Sequence, residues 1–290
     1  MFDNIFAAIE KWMRELLTGM VESNMSTMFT DVNEKTSEIA AQVGRTPQNW
    51  NSSVFSMIQN LSESVVVPIA GIIITLVLCY ELISMLTERN NLHDVDTWMF
   101  FKYFVKAWVA FYLFSNTFTI TMAVFDVGQS VVNSASGIIN GETAIDVSSL
   151  SMQMQAAMAT MEIGELVVLA LETFLVSFCM KIMSVVITVI VYGRMIEIYL
   201  YTSLAPIPFA TMSNREWGHV GTNYFRGLFA LAFQAFLMMV CVAIYAALIS
   251  SVRISSNMHS ALIGVAAYTV ILCFSLMKTG SLSKQIFGSH

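Results

Sequence analysis

Hydrophobic residues are gathered into five long runs along this chain, at residues 65–86, 98–125, 165–210, 227–250 and 261–278. A helix that crosses a hydrocarbon core of about 30 Å needs ~17–25 predominantly apolar residues, and each run reaches that length. Soluble domains do not repeat runs of this kind. The pattern therefore predicts an all-α, polytopic helical membrane protein with about five transmembrane helices.

The third run is unusual because residues 165–210 continue for about twice the length of a plain crossing. One interpretation is a single, unusually long third membrane helix. The other is two spans joined by a tight turn near Lys181, which would give six spans and place the N-terminus inside. No turn residue lies near Lys181, so the long helix is favoured.

The chain begins with apolar residues at three- and four-residue spacing, which predicts an amphipathic N-terminal helix. They are Phe2, Ile5, Phe6, Ile9, Trp12, Met13, Leu16, Leu17 and Met20. This helix either lies in the outer headgroup layer, with Trp12 as the membrane-interface anchor, or packs on a neighbouring helix or subunit, and the pattern supports both equally. Residues 21–64 are polar, with a break predicted at 44–47, and complete an external region.

The distribution of cations predicts the orientation. Residues 126–162 contain four carboxylates but no Lys or Arg, so the positive-inside rule places them outside the cytoplasm. The N-terminus is then outside and the C-terminus inside, although Arg253 and the cations before residue 64 oppose this arrangement. The predicted domains are an external region at 1–64, two helices at 65–125, an external loop at 126–162, which could form a helical hairpin, and three helices at 163–290. The last region contains a cytoplasmic loop at 211–226 and a short tail.

Composition agrees with membrane insertion and gives little support to an enzyme. Only 12% of residues are charged, against ~25% in typical soluble domains. The four cysteines fall inside apolar runs and are interpreted as packing residues. The cluster of His93, Asp94 and Asp96 lacks the spacing of a metal site, and no phosphate-binding loop is present. We expect no catalytic residue, metal or cofactor, and energy has to come from a partner.

Five ionisable residues fall within or beside the apolar runs, namely Glu81, Glu172, Lys181, Arg194 and Glu197. A charge at the centre of a membrane helix costs at least ~2.5 kcal/mol, so we expect these side chains to line a channel or to contact other subunits. Arg194 and Glu197 are three residues apart and could instead pair with each other. Glu172 and Lys181 lie on opposite helix faces, so each needs another partner, such as a group on a neighbouring subunit.

The third run ends at two prolines, Pro206 and Pro208. Proline removes a backbone donor, so this pair predicts the end of the helix and a rigid, extended, apolar elbow at the cytoplasmic face. A simple helix stop is the alternative. Irregular backbone at membrane depth is tolerated where protein or a cavity covers it, which favours the functional interpretation.

The layout and the segment Ser203-Leu204-Ala205-Pro206-Ile207-Pro208 resemble the TrbL-type polytopic inner-membrane subunit of type IV secretion and conjugation systems. The resemblance covers most of the chain. It implies a translocation channel subunit, in a homo-oligomeric ring for which five copies is one arrangement, with other secretion subunits and a separate ATPase as partners. It also implies transient contact with single-stranded DNA and its relaxase, or with protein cargo, in the cytoplasmic membrane of a bacterium.

In that family the external loop is associated with substrate passage, which gives the candidate residues Asp126, Asn133, Gly137, Glu142 and Asp146. The loop carries no cation, so DNA would be conducted past it rather than held. A membrane scaffold that assembles other subunits is the alternative function. A secondary transporter is less favoured, because only one half of the chain contains a proline-broken segment.

The predicted orientation can be measured with single cysteines in a background that lacks the four native ones. We expect a membrane-impermeant thiol reagent to label Ser134→Cys and Ser149→Cys in intact cells and to leave Ser213→Cys unlabelled. Labelling of Ser213→Cys alone would contradict both the orientation and the assignment of 126–162 as an external loop.

Overall fold

A computed structural model describes residues 2–87, 97–139, 147–252 and 258–289, and the regular elements in these ranges are helices. They are α1 (Phe2–Val43), α2 (Pro47–Trp50), α3 (Ser52–Leu61), a π-helical turn (Ser62–Val66), α4 (Val67–Thr87), α5 (Thr97–Ser115), α6 (Thr117–Ile139), α7 (Val147–Met158), α8 (Ile163–Leu204), α9 (Pro206–Thr211), α10 (Gly218–Ser250) and α11 (Met258–Phe287). The all-α fold is therefore confirmed.

Four stretches of helix are long and apolar enough to cross a membrane: Ser52–Thr87, Ile163–Leu204, Gly218–Ser250 and Met258–Phe287. A fifth span arises if the bent pair Thr97–Ser115 and Thr117–Ala135 is counted as one, although its two parts meet at 68°. In the described part of the chain this gives four or five spans. This count agrees with the predicted number of about five spans, but the second span, predicted as continuous over 98–125, is broken.

The break in this span lies at Asn116, where polar side chains satisfy the carbonyl groups at the end of α5. The Thr117 hydroxyl donates to the carbonyl oxygen of Phe114 at 2.7 Å, and the Asn116 amide donates to that of Tyr112 at 2.9 Å. Tyr112 also accepts the backbone N–H of Asn116 at 3.2 Å, so its side-chain bond adds to the helical one. Hydropathy does not reveal the break, because apolar residues continue on both sides of it.

The third run forms one unbroken helix. α8 contains 42 residues, which corresponds to a length of about 63 Å. The long third membrane helix is confirmed, and the alternative with a turn near Lys181 is wrong, since Lys181 lies in the middle of α8.

The N-terminal helix is longer than the amphipathic pattern indicates, and its two halves differ. Its second half buries one apolar face, formed by Val21, Met25, Met28, Phe29, Val32, Ile39 and Val43. Its first half leaves Ile5, Phe6, Ile9, Trp12, Leu16 and Met20 exposed. The predicted break at 44–47 is confirmed, because α1 ends at Val43 and the Thr46 hydroxyl accepts the backbone N–H of Asn49 at the start of α2.

The chain forms two compact units. The first comprises Met1–Val43, Ser134–Val191 and Met238–Lys278, and the second comprises Gly44–Asn133, Tyr192–Leu237 and Thr279–His290. α6, α8, α10 and α11 therefore contribute residues to both units.

In the first unit α1 and α8 run in the same direction, as three polar contacts show. Arg14 donates to the carbonyl oxygen of Met161 at 2.7 Å, just before α8 begins. Further along both helices, Asn24 donates to Thr173 at 3.5 Å and Lys35 to Thr188 at 3.2 Å. The contacts occur in the same order along both segments. Polar side chains of the region predicted as external, at 1–64, thus hold α1 against a membrane-type helix.

In the second unit the short helix α9 packs against α4 and α5. Its Ala210 joins a buried apolar cluster with Ala70 and Ile74 of α4 and Ala110 and Phe114 of α5. A second buried apolar cluster lies between α6, α8 and α10 and contains Val124, Phe125, Met195, Ile198, Leu228, Leu231 and Ala232. The segment after Leu204 is therefore part of the core of this unit.

The start of α10 approaches α9 so closely that only glycine fits. A Cβ atom on Gly221 would lie 2.5 Å from the backbone oxygen of Pro208 and would overlap the Met212 side chain. We expect Gly221→Ala to lower the free energy of unfolding by about 1–3 kcal/mol, the usual cost of overpacking a core. Thermal denaturation of the purified protein in detergent, followed by tryptophan fluorescence, measures this loss.

Gly71→Ala is the matched control, because nothing lies within 4 Å of a Cβ built on Gly71 of α4. We expect it to leave stability unchanged or slightly raised, since alanine is the better helix former. Equal melting temperatures for the two variants would contradict the close packing of α9 against α10.

Candidate functional site

The five ionisable candidates do not form a single site. Glu172 and Lys181 lie in the first unit, whereas Glu81, Arg194 and Glu197 lie in the second. Each of the three carboxylates has a basic partner on another helix of the same chain. Since these charges are satisfied within one chain, their depth alone does not identify them as pore residues.

Glu172 of α8 pairs with His259 at the start of α11 through Nδ1 of the imidazole ring. Both side chains are partly exposed, and the contact lies within the first unit. Glu172 therefore has a partner other than Lys181, as the spacing predicts, and this partner lies in the same chain rather than in a neighbouring subunit. His259 is 87 residues away in sequence, and spacing along one helix gives no indication of it.

Lys181 has a different environment. It is exposed on α8, and among the described residues its ammonium makes no ion pair or hydrogen bond. The exposed side chains of Phe178, Ile182 and Val185 surround it on this helix. Of the five candidates, Lys181 is the one whose surroundings fit a contact with another subunit.

Arg194 and Glu197 do not pair with each other, which corrects one of the two interpretations of their spacing. Glu197 accepts from Lys284 of α11, with Nζ 2.9 Å from its carboxylate oxygen. Arg194 is only 6% exposed and donates from Nη2 to the carbonyl oxygen of Leu231 at 3.2 Å. Its Nε is buried and has no partner in the described part of the chain. A buried guanidinium without a bonded carboxylate is costly and therefore marks a specialised position.

Arg194 and Glu197 belong to a polar layer where α8, α10 and α11 meet. We define this layer as Arg194, Glu197, Gln234, Thr279, Ser283 and Lys284. Gln234 donates to Thr279 at 3.4 Å, and Ser283 donates to the carbonyl oxygen of Ala230 at 2.6 Å. The layer contains two cations and one carboxylate, so it has an excess of positive charge within helices of membrane-spanning character.

Glu81 is at the centre of a second set of polar contacts, at the end of α4. Its carboxylate pairs with Lys106 of α5 and accepts from the Asn214 amide at 3.3 Å. Asn214 also accepts the backbone N–H groups of Glu216 and Trp217, at 2.7 and 2.9 Å. These bonds attach the loop at 212–217 to α4 and α5. The sequence predicts Glu81 as a candidate but gives no indication of Asn214.

An aromatic contact strengthens the attachment of this loop. The Tyr80 ring stacks on Trp217 with a centroid separation of 5.7 Å, and its hydroxyl donates to Glu216 at 3.1 Å. Aromatic side chains with polar tips favour the boundary between hydrocarbon and water. The loop at 212–217 thus has the character of a membrane-interface segment.

The segment at Pro206 and Pro208 is a helix rather than an extended elbow. α9 begins at Pro206, and Ala205 before it has helical backbone angles of φ −49° and ψ −39°. Proline is tolerated in the first turn of a helix because its missing N–H would have no partner there. The helix-stop alternative therefore describes the end of α8 correctly, and a new helix starts at once.

The cytoplasmic placement of these prolines stays a prediction. Pro206 borders the same cleft as Ser62, Glu63 and Val67, at the start of the first span, whereas Asn214 of the 212–217 loop contacts Glu81 toward the end of that span.

The segment predicted as an external loop is largely helical where it is described. Asp126, Asn133 and Gly137 lie in α6, and the first two are exposed. Glu142 and Asp146 lie outside the described residues, as does the cluster of His93, Asp94 and Asp96. The second half of this segment contains α7, whose buried residues include Met154 and Met158. Trp12 on α1 is 62% exposed, which suits either of its predicted environments.

Comparison with protein families gives one match. A family model described as TrbL/VirB6 plasmid conjugal transfer like protein matches residues 32–206, more than half of the chain. No curated protein and no solved structure matches. The matched range contains all five ionisable candidates and Pro206, whereas Asn214, His259 and Lys284 lie beyond it.

The contacts of Glu81 predict a measurable stability effect. Because Glu81 is mostly buried and Lys106 is half-exposed, we expect Glu81→Gln to lower the free energy of unfolding by about 1–2 kcal/mol. Lys106→Met should cost a similar amount, and the double variant less than the sum, since the two residues share one interaction. Thermal denaturation in detergent tests all three.

Glu15→Gln serves as the control, because the Glu15–Lys11 pair is highly exposed and spans 3.9 Å. Its effect should stay below ~0.5 kcal/mol. Strictly additive effects of the Glu81 and Lys106 substitutions would show that the two side chains are not coupled.

Proposed function

Since the chain belongs to the TrbL/VirB6 family of plasmid conjugal transfer proteins, we propose that it is a membrane subunit of the translocation channel in a conjugation or type IV secretion machine. Membership of the family and the apolar helices make it a multi-pass component of a conjugal transfer system. The channel role, the ring and the cargo are parts of the proposal.

The observation that supports an assembled channel is the length of the apolar face on α8. Large apolar side chains are exposed along the helix at Val167, Val168, Leu171, Phe174, Leu175, Phe178, Ile182, Val185, Val189, Tyr192, Ile196, Leu200 and Leu204. From the first to the last, the face extends for about 55 Å. Even a helix tilted by ~40° cannot fit such a face into a hydrocarbon core of about 30 Å.

Part of the α8 face therefore has to be covered by protein. Additional copies of this chain arranged as a ring would supply that cover, and five copies is one such arrangement. Lys181 lies on this face, so every copy would bring to the assembly one ammonium that has no partner among the described residues. We propose that Lys181 contacts a neighbouring subunit or the conducted cargo.

The cargo in this proposal is single-stranded DNA with its relaxase, or a secreted protein. The chain would conduct the cargo without transforming it, and an ATPase on a separate subunit would supply energy. We further propose the cytoplasmic membrane of a bacterium as its location, with the N-terminus outside and the C-terminus inside, in contact with membrane lipid.

A membrane scaffold is the second candidate, because the exposed face of α8 would serve assembly alone equally well. The two functions differ in what happens when assembly stays intact. If the protein is a scaffold, a substitution lowers transfer only when it also disrupts the complex. If the protein is a channel subunit, a substitution can lower transfer while the complex stays complete.

Lys181→Ala separates these functions. In the channel proposal we expect conjugal transfer to fall about tenfold, the effect of ~1.4 kcal/mol, while membrane insertion and the size of the complex stay normal. Mating assays measure transfer, and native gel electrophoresis of detergent extracts measures the complex. Lys11→Ala is the matched control, because Lys11 is an exposed lysine of α1 outside the family match.

Loss of both the complex and transfer in Lys181→Ala would favour the scaffold. Normal transfer in this variant would remove Lys181 from either role. Normal transfer in a strain that lacks the whole protein would overturn the proposed function itself.

A further inference from the structure

Three interruptions of regular helix border the same cleft in the second unit. They are the π-helical turn Ser62–Val66, the bend at Asn116 and the break before Pro206. The cleft has a volume of about 210 Å³. Its lining comprises Gln59, Ser62, Glu63, Val67, Phe114, Ser115, Asn116, Thr117, Phe118, Thr119 and Pro206. We call it the bend cleft. Irregular backbone near a membrane requires a polar cavity or a partner, and π-helical turns are frequent at functional sites.

The exposed side chains of Ser52–Thr87 place the bend cleft at one boundary of the hydrocarbon. Between Ser52 and Ser64 the exposed positions are mostly polar, whereas from Val65 to Ile83 the large exposed side chains are apolar apart from the Tyr80 hydroxyl. The apolar part is about 27 Å long, close to the ~30 Å of a hydrocarbon core. Glu63 therefore lies at the depth of the lipid headgroups, on the opposite side from Tyr80.

Two acceptor oxygens in the bend cleft, one of Glu63 and one of Asn116, have no partner among the described residues, and the lining also contains serine and threonine hydroxyl groups that can donate or accept. Glu63 is the one ionisable side chain of the lining, and one of its oxygens accepts from Gln59 at 2.9 Å. The second oxygen has no partner among the described residues. The Asn116 amide nitrogen and the Thr117 hydroxyl donate to carbonyl groups of α5. The Asn116 amide oxygen accepts no hydrogen bond from the described residues. A cationic group with several N–H donors matches this set.

We propose that the bend cleft binds the primary ammonium of a phospholipid headgroup, as in phosphatidylethanolamine, with Glu63 as its counter-ion. A primary ammonium carries three donors, enough for both Glu63 and Asn116. The apolar lining residues Val67, Phe114 and Pro206 offer surface to the glycerol and the first acyl carbons. The exposed apolar face of α4, which follows Val65 in sequence, would then contact the acyl chains.

Binding of this lipid would stabilise the bend between α5 and α6. The headgroup would bridge Glu63 on the first span and Asn116 at the bend, so it would connect two segments that are distant in sequence. This inference is independent of the channel proposal, because it concerns lipid selectivity rather than cargo.

The test uses the full-length protein, purified in detergent and incubated with equal amounts of phosphatidylethanolamine, phosphatidylcholine and phosphatidylglycerol. Native mass spectrometry counts the lipids retained. We expect phosphatidylethanolamine to be retained about fivefold over phosphatidylcholine, whose trimethylammonium carries the same charge but no N–H donor. Glu63→Gln should remove this preference. Glu34→Gln, which changes an exposed carboxylate of α1, should keep it.

A second measurement needs no variant. Stepwise N-methylation of phosphatidylethanolamine removes one donor at a time, and retention by the wild-type protein should fall with each methyl group. A lysine-containing peptide at equal concentration should not displace the lipid.

Equal retention of phosphatidylethanolamine and phosphatidylcholine by the wild-type protein would overturn the proposal, as would a preference for phosphatidylglycerol. Unchanged preference in Glu63→Gln would place amine recognition elsewhere in the molecule. Displacement by the peptide would assign the cleft to a polypeptide amine instead of a lipid.

Discussion

The need to satisfy polar groups where water is absent governs this structure. In hydrocarbon each backbone N–H and C=O requires a partner from the protein, so long helices dominate and every interruption is compensated nearby. At the end of α5 the Thr117 hydroxyl and the Asn116 amide donate to the carbonyl groups of Phe114 and Tyr112. Near the end of α8 the Tyr224 hydroxyl donates to the carbonyl oxygen of Tyr201 at 2.7 Å. In these places, polar side chains within the apolar runs form hydrogen bonds with backbone carbonyl groups.

The same requirement applies to charge. Glu81, Glu172 and Glu197 each contact a basic side chain on another helix, 25, 87 and 87 residues away in sequence. Such pairs fix which helices are neighbours as well as lowering the cost of burial. Arg194 and Lys181 are exceptions, because Arg194 donates to a neutral carbonyl group and the Lys181 ammonium has no partner among the described residues. Together with Lys284, Arg194 leaves the polar layer with more positive than negative charge.

Much of the fold could be predicted from the sequence, because hydrophobic length and helix breakers act locally. The number of spans, the single long helix and the break before Pro47 follow from run lengths, the absence of turn residues at Lys181 and the Gly-Arg-Thr-Pro segment. The bend at Asn116 could not be predicted, since hydropathy does not detect a break that polar side chains satisfy. Pro206 and Pro208 suggested extended backbone, yet a first helical turn tolerates both. The charged candidates were located by depth, but His259, Lys284 and Asn214 were missed because a pairwise contact between distant helices leaves no periodic signal.

The uninterrupted course of α8 has a mechanical consequence. A helix bends sharply only where proline, a bulge or an inserted group weakens its ladder of hydrogen bonds, and α8 has no proline between Ile163 and Leu204. It therefore behaves as a stiff rod. A helix with a central proline would divide into two arms that meet at an angle, whereas α8 is a single strut of 42 residues with a length of about 63 Å.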